Sequence, residues 1–446
     1  MKKSKTKTKT HTIKTSRHFV NEANTGKLKN YDLLLKESLR VLNIFISHIW
    51  NNGFEYSTKK GVQKICNPAN GYYDVPGFYD YKKVPVDTIL SARMKSSLIT
   101  QACGIIKSTV EAHKRKLFVL SKLEDKKEKS VRDEKDIVKL RTKIKNKTPK
   151  ISVVKNIAIE LSSKNAIMIQ TGKEFDFLKL KSLGKIGDIY LPIRHHKHSR
   201  KLEQKGKRMN SFLLGKDYLN IRWEIPLPPK KEVGIIVGGD TGKNTILTLS
   251  NSETTDLNIH PHGHTLHSIM MSLSLKEKGS KGFKKAQSLR TNFINWSIKR
   301  LNLVGVKQIN LEDIKNIFHK NKTSRFMSAW TNTEIVSAIV NLCEESGVQI
   351  NYQTSYYRSQ RCFSCGLVRK ANRKGKVYKC FGCGHCVNAD LNGAQNHSIT
   401  LPPIPEALRR QKLNRKGFFW NPEGFTDLDG SVLRVPDTSK EKNSYK

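Results

Sequence analysis

The sequence lacks any uninterrupted apolar run of transmembrane length and any signal-peptide pattern. These absences argue against a membrane-spanning or secreted protein, so we expect a cytoplasmic, nucleoid-associated protein with no membrane partner. Acidic residues are scarce, because only 38 Asp and Glu accompany 82 Lys and Arg and leave a net charge of +44. Self-repulsion of that size destabilises a compact chain unless a polyanion neutralises it, which indicates a nucleic-acid partner.

Cysteine is also rare, yet four of the eight cysteines are regularly spaced. Cys362 with Cys365, and Cys380 with Cys383, form two Cys-x2-Cys pairs separated by 14 residues. Four thiolates at this spacing suit a closed tetrahedral Zn2+ site of the structural kind, since no coordination position stays open for water. A disulfide framework or free thiols are the alternatives, but disulfides require an oxidising compartment.

Other cysteine and histidine positions fit the zinc pattern less well. His385 and Cys386 lie close enough to replace a ligand, but only Cys380 and Cys383 repeat the spacing of the first pair. The remaining isolated cysteines are predicted to be buried small hydrophobic residues: Cys66, Cys103 and Cys343.

The first half of the chain changes from helical to strand periodicity. A basic arm over residues 1–10, suited to contact RNA or DNA or to serve as a nuclear address, precedes the first predicted strand. The pattern then predicts helices, a long irregular insert over 53–83, and a small β-barrel or sheet over 151–225 interrupted by a basic loop over 195–201. The predicted strand and helices are His11–Val20, Asp32–Trp50, Val84–Leu123 and Lys126–Lys147.

The proline-rich segment 226–231 predicts a stiff linker to a second, mixed α/β half. The predicted strands of this half are Val233–Asp240, which is expected to be buried, its hairpin partner Asn244–Ser250, and then Val306–Glu312 and Val348–Tyr352. The predicted helices are Lys284–Leu301 and Thr331–Glu345, the second closed by Gly347. Beyond Leu401 the sequence predicts a partly ordered tail.

Three carboxylates stand at the boundaries of predicted elements. Asp240 and Glu312 each end an apolar strand, and Asp390 opens a predicted helix just past the cysteine pairs. A buried ionised carboxylate is costly unless a cation or donors receive it. If the three elements are neighbours, their side chains form an oxygen-rich site for two Mg2+ or Mn2+ ions about 4 Å apart. Asp and Glu also end strands for solubility or capping, so ordinary alternatives stay open. Glu312 can be a surface acid, with the adjacent Asp313 as the ligand in its place, and Asp390 can be an N-cap.

The order of these motifs resembles a known family. The matching segments are Gly239-Asp240-Thr241-Gly242, Leu311-Glu312-Asp313-Ile314, 354–366, 378–384 and 388–396. They are similar to the RuvC-type nuclease with inserted zinc ribbon of the transposon-encoded TnpB proteins and of the compact type V, Cas12-like, CRISPR effectors. The match covers about Val233 to Ser398, and before Val233 it is only organisational.

This resemblance implies an RNA-guided DNA endonuclease with an RNase H-like (RuvC) fold, a guide-RNA partner and a double-stranded DNA target. Guide pairing then reads the target sequence next to a short motif read by the protein. A monomer or a homodimer on one guide RNA is expected. By this resemblance the catalytic, Mg2+-binding acids are Asp240, Glu312 and Asp390, and the Zn2+ ligands are Cys362, Cys365, Cys380 and Cys383.

The resemblance also implies a multidomain α/β and α+β fold. An oligonucleotide-binding-type β-barrel interrupted by a helical recognition lobe precedes the nuclease domain. The expected segments are 1–30 and 151–230 for the β-barrel (wedge) domain, 31–150 for the helical lobe, 231–355 and 387–400 for the nuclease core, 356–386 for the target nucleic-acid-binding zinc ribbon, and 401–446 for the tail.

Two positions depart from the family pattern. Gly239-Asp240-Thr241 stands where the first acid usually has aliphatic neighbours, and Gly393 stands where alanine is usual. The first departure predicts a looser strand under Asp240 and slow or cofactor-sensitive cleavage. Beside the ribbon, Arg358 and Arg361 are candidates for guiding phosphates, with an ordinary surface role as an equal alternative.

Two other functions remain open. A guide-directed repressor or transposon accessory protein would bind DNA without cutting it, although the complete set of three acids favours an enzyme. A guide-independent junction resolvase would cut DNA with no RNA present.

Overall fold

The computed structural model describes residues 10–433, with gaps at 24, 58–62, 68–71, 74–78, 127, 145–150, 152, 172–174, 243, 256–259, 315–323, 406–407 and 410. All of the basic arm before Thr10 therefore lies outside the described residues. The chain divides into two units, Met1–Pro226 and Leu227–Lys446. No helix in the described ranges is long and apolar enough to cross a membrane.

The first unit combines long helices with antiparallel sheets. Its elements are β1 (His11–Phe19), α1 (Thr25–Asn52), β2 (Phe54–Ser57), β3 (Gln63–Asn67), β4 (Tyr72–Tyr73), α2 (Ala92–Glu124), α3 (Val131–Lys143), β5 (Ile159–Ser162), β6 (Ala166–Ile169), β7 (Phe175–Leu180), β8 (Ile189–Arg194), α4 (Lys197–Lys205), β9 (Lys207–Leu214) and β10 (Tyr218–Pro226). The sheet orders are β1-β10-β9-β5, β6-β7-β8 and β2-β3-β4.

One hydrophobic core joins the helices and sheets of this unit. Phe45 of α1, Leu98 of α2 and Phe212 of β9 are buried in it. The apolar positions of α1 recur at helical spacing, so one face of this helix can cover the sheets while its polar face meets solvent. This core holds the helices and the sheets of the first unit together.

Three sequence predictions for the first unit need correction. The insert over 53–83 contains the paired strands β2, β3 and β4 rather than irregular chain alone. The helix predicted over 126–147 begins only at Val131, because Ser130 and Asp133 form a capping box. The predicted basic loop 195–201 is mostly the start of α4, with His196 as its N-cap.

The second unit contains a mixed sheet, a helical layer and a small-strand module. Its elements are β11 (Ile235–Asp240), β12 (Thr248–Leu249), α5 (Leu266–Leu275), α6 (Lys281–Ile298), β13 (Val306–Glu312), α7 (Arg325–Ala329), α8 (Asn332–Ser346), β14 (Gln349–Gln353), β15 (Leu367–Val368), β16 (Arg373–Lys374), β17 (Val377–Lys379), β18 (Cys386–Asn388), α9 (Ala389–Ser398), β19 (Phe418–Asn421) and β20 (Gly424–Thr426).

The central sheet has the order β12-β11-β13-β14. Strands β11, β13 and β14 are parallel, and β12 pairs antiparallel with the end of β11. Gly239 lies opposite Leu311, so Asp240 and Glu312 follow at the same edge of the sheet. The prediction of a fully buried first strand is wrong at its start, because Ile235 and Ile236 are exposed.

Helix α9 packs directly against β11, and glycine makes this possible. A Cβ on Gly238 would lie 1.9 Å from the carbonyl oxygen of Ala394, closer than van der Waals contact permits. From the neighbouring strand, Asn310 donates a hydrogen bond from Nδ2 to the carbonyl oxygen of His397 at 2.9 Å. The helix that carries Asp390 is therefore fixed to the two strands that carry the other acids.

Two small three-stranded sheets complete the second unit. Strands β16, β17 and β18 form an antiparallel sheet next to the cysteine pairs, and β15 pairs with β19, which pairs with β20. Phe418 and Trp420 are buried in a cluster with Val368 and Leu401. The segment after Leu401, predicted to be a partly ordered tail, thus contains the paired strands β19 and β20.

Candidate metal centres

The four regularly spaced cysteines meet at one point. Their sulfur atoms all lie within 4.8 Å of one another, with Cys362 Sγ 3.7 Å from Cys383 Sγ and Cys365 Sγ 3.6 Å from Cys380 Sγ. A tetrahedral ion with Zn–S bonds of 2.3 Å requires sulfurs about 3.8 Å apart. The geometry therefore fits a structural Zn2+ ion held by two knuckles that are 14 residues apart in the sequence.

The alternative ligands stay outside this cluster. His385 and Cys386 do not belong to the four-sulfur group, and Cys386 is exposed on β18. Cys103 and Cys343 are buried as predicted, whereas the side chain of Cys66 lies outside the described residues.

The three predicted acids line one cleft of the second unit, with a volume of about 610 Å³. Asp240 comes from the end of β11, Glu312 from the end of β13 and Asp390 from the first turn of α9. Asp313, the alternative to Glu312, is not among the lining residues. Apart from the four cysteines, no three possible ligands among the described residues lie within 4.8 Å of one another, so the acids are more widely spread than the ligands of a single ion. Two ions about 4 Å apart need ligands spread in this way.

Asp390 is not the N-cap of its helix. Asn388 occupies that position, where its Oδ1 accepts hydrogen bonds from the backbone nitrogens of Asp390 and Leu391. The carboxylate of Asp390 therefore faces the cleft, where Arg373 Nη2 lies 3.2 Å from Oδ1 and Lys376 Nζ donates to Oδ2. Lys376 also donates to Thr245 Oγ1 at 2.8 Å.

Arg373 and Lys376 are the site residues that sequence reasoning missed. They flank the tight turn between β16 and β17, and both line the cleft. The visible signal was the basic stretch between the cysteine pairs, but nothing in its composition separates these two side chains from its other lysines and arginines.

Burial in the cleft destabilises the ionised form of two of the three acids. Burial raises the pKa of Asp240 to about 8, with further contributions from Glu312 and Asp390. Burial also raises the pKa of Glu312 to about 7. Carboxylate oxygens are the preferred ligands of Mg2+ and Mn2+, so a pair of these cations fits both the donor set and the unbalanced charge.

The two departures from the family pattern belong to one packing arrangement. A Cβ on Gly393 would lie 3.2 Å from both Cγ and Oδ2 of Asp240, so an alanine there would crowd the carboxylate. On the opposite side, the space beside Gly239 is filled by Leu311 and Leu247, and β11 pairs with a strand on each edge. Small residues at 239 and 393 thus let helix, strand and acid approach closely.

The prediction that Arg358 and Arg361 are phosphate guides or surface residues is wrong. They are 2% and 3% exposed. Arg358 donates to the backbone carbonyl oxygens of Asn396 in α9 and of Ile399 just after it. Arg361 Nε donates to the carbonyl oxygen of Trp420 at 2.7 Å and its Nη1 to Asn396 Oδ1 at 2.7 Å. Both guanidinium groups are thus bonded to α9 and are not available at the surface.

Comparisons with known proteins agree with this arrangement. Residues 333–397 match the family described as Cas12f1-like, TNB domain. The chain resembles the compact type V Cas12 effectors. It is 36% identical over 105 residues to the CRISPR-associated endodeoxyribonuclease Cas12f1 of Sulfoacidibacillus thermotolerans, which is 23% of this chain and 24% of that protein. It is 28% identical over 122 residues to the protein of the same name from Syntrophomonas palmitatica, 26% of this chain and 23% of that one.

The fold is similar beyond the matched segment. The structure of CasPhi-2 (Cas12j) bound to crRNA aligns with a TM-score of 0.50 and 8% identity, over 89% of this chain and all of that one. The predicted multidomain α/β architecture is therefore confirmed at the level of the overall fold. The sequence matches span about a quarter of the length of each curated relative. The family model covers the segment with the four cysteines and Asp390.

Proposed function

We propose that this protein is an RNA-guided DNA endonuclease. A guide RNA pairs with one strand of double-stranded DNA beside a short motif read by the protein, and the acidic cleft hydrolyses the DNA strands. The observation that carries the proposal is the convergence of Asp240, Glu312 and Asp390 in one cleft of the unit that also holds the four-cysteine site. The cysteines and Asp390 lie within the segment that matches the Cas12f1-like family model.

The charge of the chain supports an RNA and DNA partner. A heteroduplex of about 20 base pairs is recognised through its backbone and shape, which requires many Lys and Arg and few base-specific contacts. The net charge of +44 meets that requirement. The relatives named above are CRISPR-associated endodeoxyribonucleases, and the structural relative is bound to crRNA.

The proposed domain assignment follows the same family. Residues 231–355 and 387–400 form the RuvC-like core and 356–386 the inserted zinc ribbon. Residues 1–30 and 151–230 form the β-barrel domain, and 31–150 form the recognition lobe. The parallel strands β11, β13 and β14 support the core assignment, and the antiparallel sheets around α1 and α2 support the assignment of the first half.

Asp240, Glu312 and Asp390 are the groups that would hold Mg2+ or Mn2+, with carboxylate oxygens from three elements. Such ions, when bound, supply an activated water and neutralise charge on the leaving 3′ oxygen. The chain itself contributes a close attachment of α9 to the sheet. Arg373 and Lys376 place two positive charges beside Asp390, where they can also meet a phosphate of the DNA.

The rival function is DNA binding without cleavage, as in a guide-directed repressor or a transposon accessory protein. The raised pKa values of Asp240 and Glu312 favour the nuclease, because two buried acids without a cation are costly and serve no purpose in a binding protein.

The test begins with the RNA that co-purifies with the protein. That RNA is sequenced, matching DNA is synthesised with randomised flanks, and cleavage in Mg2+ is compared for wild type and Asp240→Ala. We expect wild type to cut matching DNA, and Asp240→Ala to bind it with similar affinity but leave it intact. Binding without cleavage by wild type would support the repressor, and cleavage that survives removal of RNA would support a resolvase.

A further inference from the structure

Each cysteine knuckle presents a phenylalanine at the same position. The motif Cys-Phe-x-Cys-Gly occurs at 362–366 and again at 380–384, so Phe363 and Phe381 each follow the first cysteine of a pair. Their rings are 36% and 61% exposed. A single large apolar ring at the surface is common in proteins. Two such rings at equivalent positions of two knuckles indicate a surface that binds a ligand.

The backbone under both rings is fixed by buried asparagines. The amide nitrogen of Phe363 donates to Asn392 Oδ1 at 3.1 Å, and that of Phe381 donates to Asn372 Oδ1 at 3.2 Å. Asn392 and Asn372 are 0% and 1% exposed. Exposure of the rings is therefore not the result of a loose loop, because each is held out from an anchored backbone and loses little further freedom on binding.

The segment that carries both rings is rich in basic residues. Between residues 362 and 388 the sequence contains six Lys and Arg and no acidic residue. The guanidinium carbon of Arg369 lies 4.9 Å from the centroid of the Phe381 ring, and Lys370, Lys374 and Lys379 are exposed. A partner for this surface must combine many negative charges with flat rings, which describes single-stranded nucleic acid.

We propose that Phe363 and Phe381 form a base-stacking platform for unpaired nucleotides of the target DNA. Unpaired bases expose the π-faces that an aromatic side chain can cover, while the lysines and arginines follow the phosphates. Asn392, which holds the Phe363 knuckle, lies two positions after Asp390 on α9, so the platform is joined to the helix that carries a cleft acid. The identity of the strand rests on the proposed function, whereas the stacking itself does not.

The test uses nucleic-acid-free, zinc-loaded full-length protein without guide RNA or Mg2+, so it does not depend on cleavage. Fluorescence anisotropy measures affinity for a labelled oligo-dT and for an abasic oligomer of equal length, which keeps the phosphates but has no bases. We expect Phe363→Ala or Phe381→Ala to weaken oligo-dT binding about 10-fold, and the pair about 100-fold, with little change for the abasic oligomer.

Phe118→Ala is the matched control, because Phe118 is 63% exposed on α2 and has Lys122 above its ring. It is expected to leave oligo-dT binding unchanged. Bound zinc is measured in each variant, and if an alanine variant loses zinc the comparison passes to Phe381→Trp and Phe381→Leu, of which only Trp should keep wild-type affinity. Wild-type oligo-dT affinity in the double variant, equal losses for both oligomers, or equal affinity of the Trp and Leu variants would overturn the proposal.

Discussion

The first prediction concerns replacement of Asp240 by asparagine, which tests how strongly the cleft destabilises a buried negative charge. Burial, with Glu312 and Asp390, raises the pKa of Asp240 from 3.8 to about 8. Between these values the folded protein without Mg2+ keeps a proton that the unfolded chain has released. The stability from this proton is fully present below about pH 4 and is lost as the pH rises through 8, at about 1.4 kcal/mol per pH unit.

The asparagine side chain of the Asp240→Asn variant does not titrate, so the stability of the variant does not change with pH for this reason. Between pH 6 and pH 8 wild type is expected to lose about 2.3 kcal/mol relative to the variant, because Asp240 is half ionised at pH 8, and this is about 50-fold in the opening equilibrium of the sheet. Glu312 titrates in both proteins, so its contribution largely cancels in the comparison.

Native-state hydrogen exchange of β11 amides, read by mass spectrometry, measures this difference locally. The protein is zinc-loaded and the buffer contains no other divalent ion. Comparison of the two proteins at each pH cancels intrinsic exchange, and the protection ratio of variant to wild type should rise about 50-fold from pH 6 to pH 8. Added Mg2+ should restore protection in wild type at pH 8. A constant ratio would refute the reasoning, since Asp240 would already be ionised at pH 6.

Three further predictions concern zinc, the buried arginine and the cleft lysine. Cys362→Ser should remove the bound zinc measured by elemental analysis, whereas Cys386→Ser should retain it; zinc loss in the second variant would make Cys386 a ligand. Arg361→Met should lower the free energy of unfolding of the second unit by about 3–5 kcal/mol in urea, because buried acceptors lose their donor; a change below about 1 kcal/mol would contradict this burial. Lys376→Met should tighten Mn2+ binding several-fold by electron paramagnetic resonance, since Nζ no longer occupies Asp390, and Lys374→Met, exposed on β16, should not; equal affinities in the two variants would disprove competition.

The placement of the acids was predictable from local patterns. Asp240 and Glu312 each end an apolar strand, and parallel neighbours in a sheet present their carboxyl ends at one edge. The cysteine spacing likewise predicts a metal knuckle without knowledge of the fold. These signals depend on residues close in sequence, so a single chain is enough to reveal them.

The fate of the arginines was not predictable, because it depends on distant partners. Arg361 donates to the carbonyl oxygen of Trp420, 59 residues away, and an arginine that anchors a buried carbonyl has no sequence mark that distinguishes it from a surface arginine. The role of Lys376 could not be predicted for the same reason, because its approach to Asp390 is set by the register of β16 and β17.

The C-terminal segment shows the same limit for backbone pairing. Strand β19 pairs with Leu367 and Val368, which lie about 50 residues earlier in the sequence. The pairing therefore has no hairpin-turn motif from which it could be predicted. The apolar residues Phe418 and Trp420 were visible, but their burial depends on Val368 and Leu401, which the sequence does not place beside them.

Single-turnover cleavage of DNA that matches the co-purified RNA tests the central claim most directly. Wild type is compared with Asp240→Ala, Glu312→Ala, Asp390→Ala and the variant with all three changes, with Val304→Ala, at an exposed side chain outside the cleft, as the surface control. If the acids act as one unit, each single variant should lose at least about 1000-fold in rate and the triple variant should be little worse, because such effects are not additive. A wild-type rate in any single-acid variant would contradict the account.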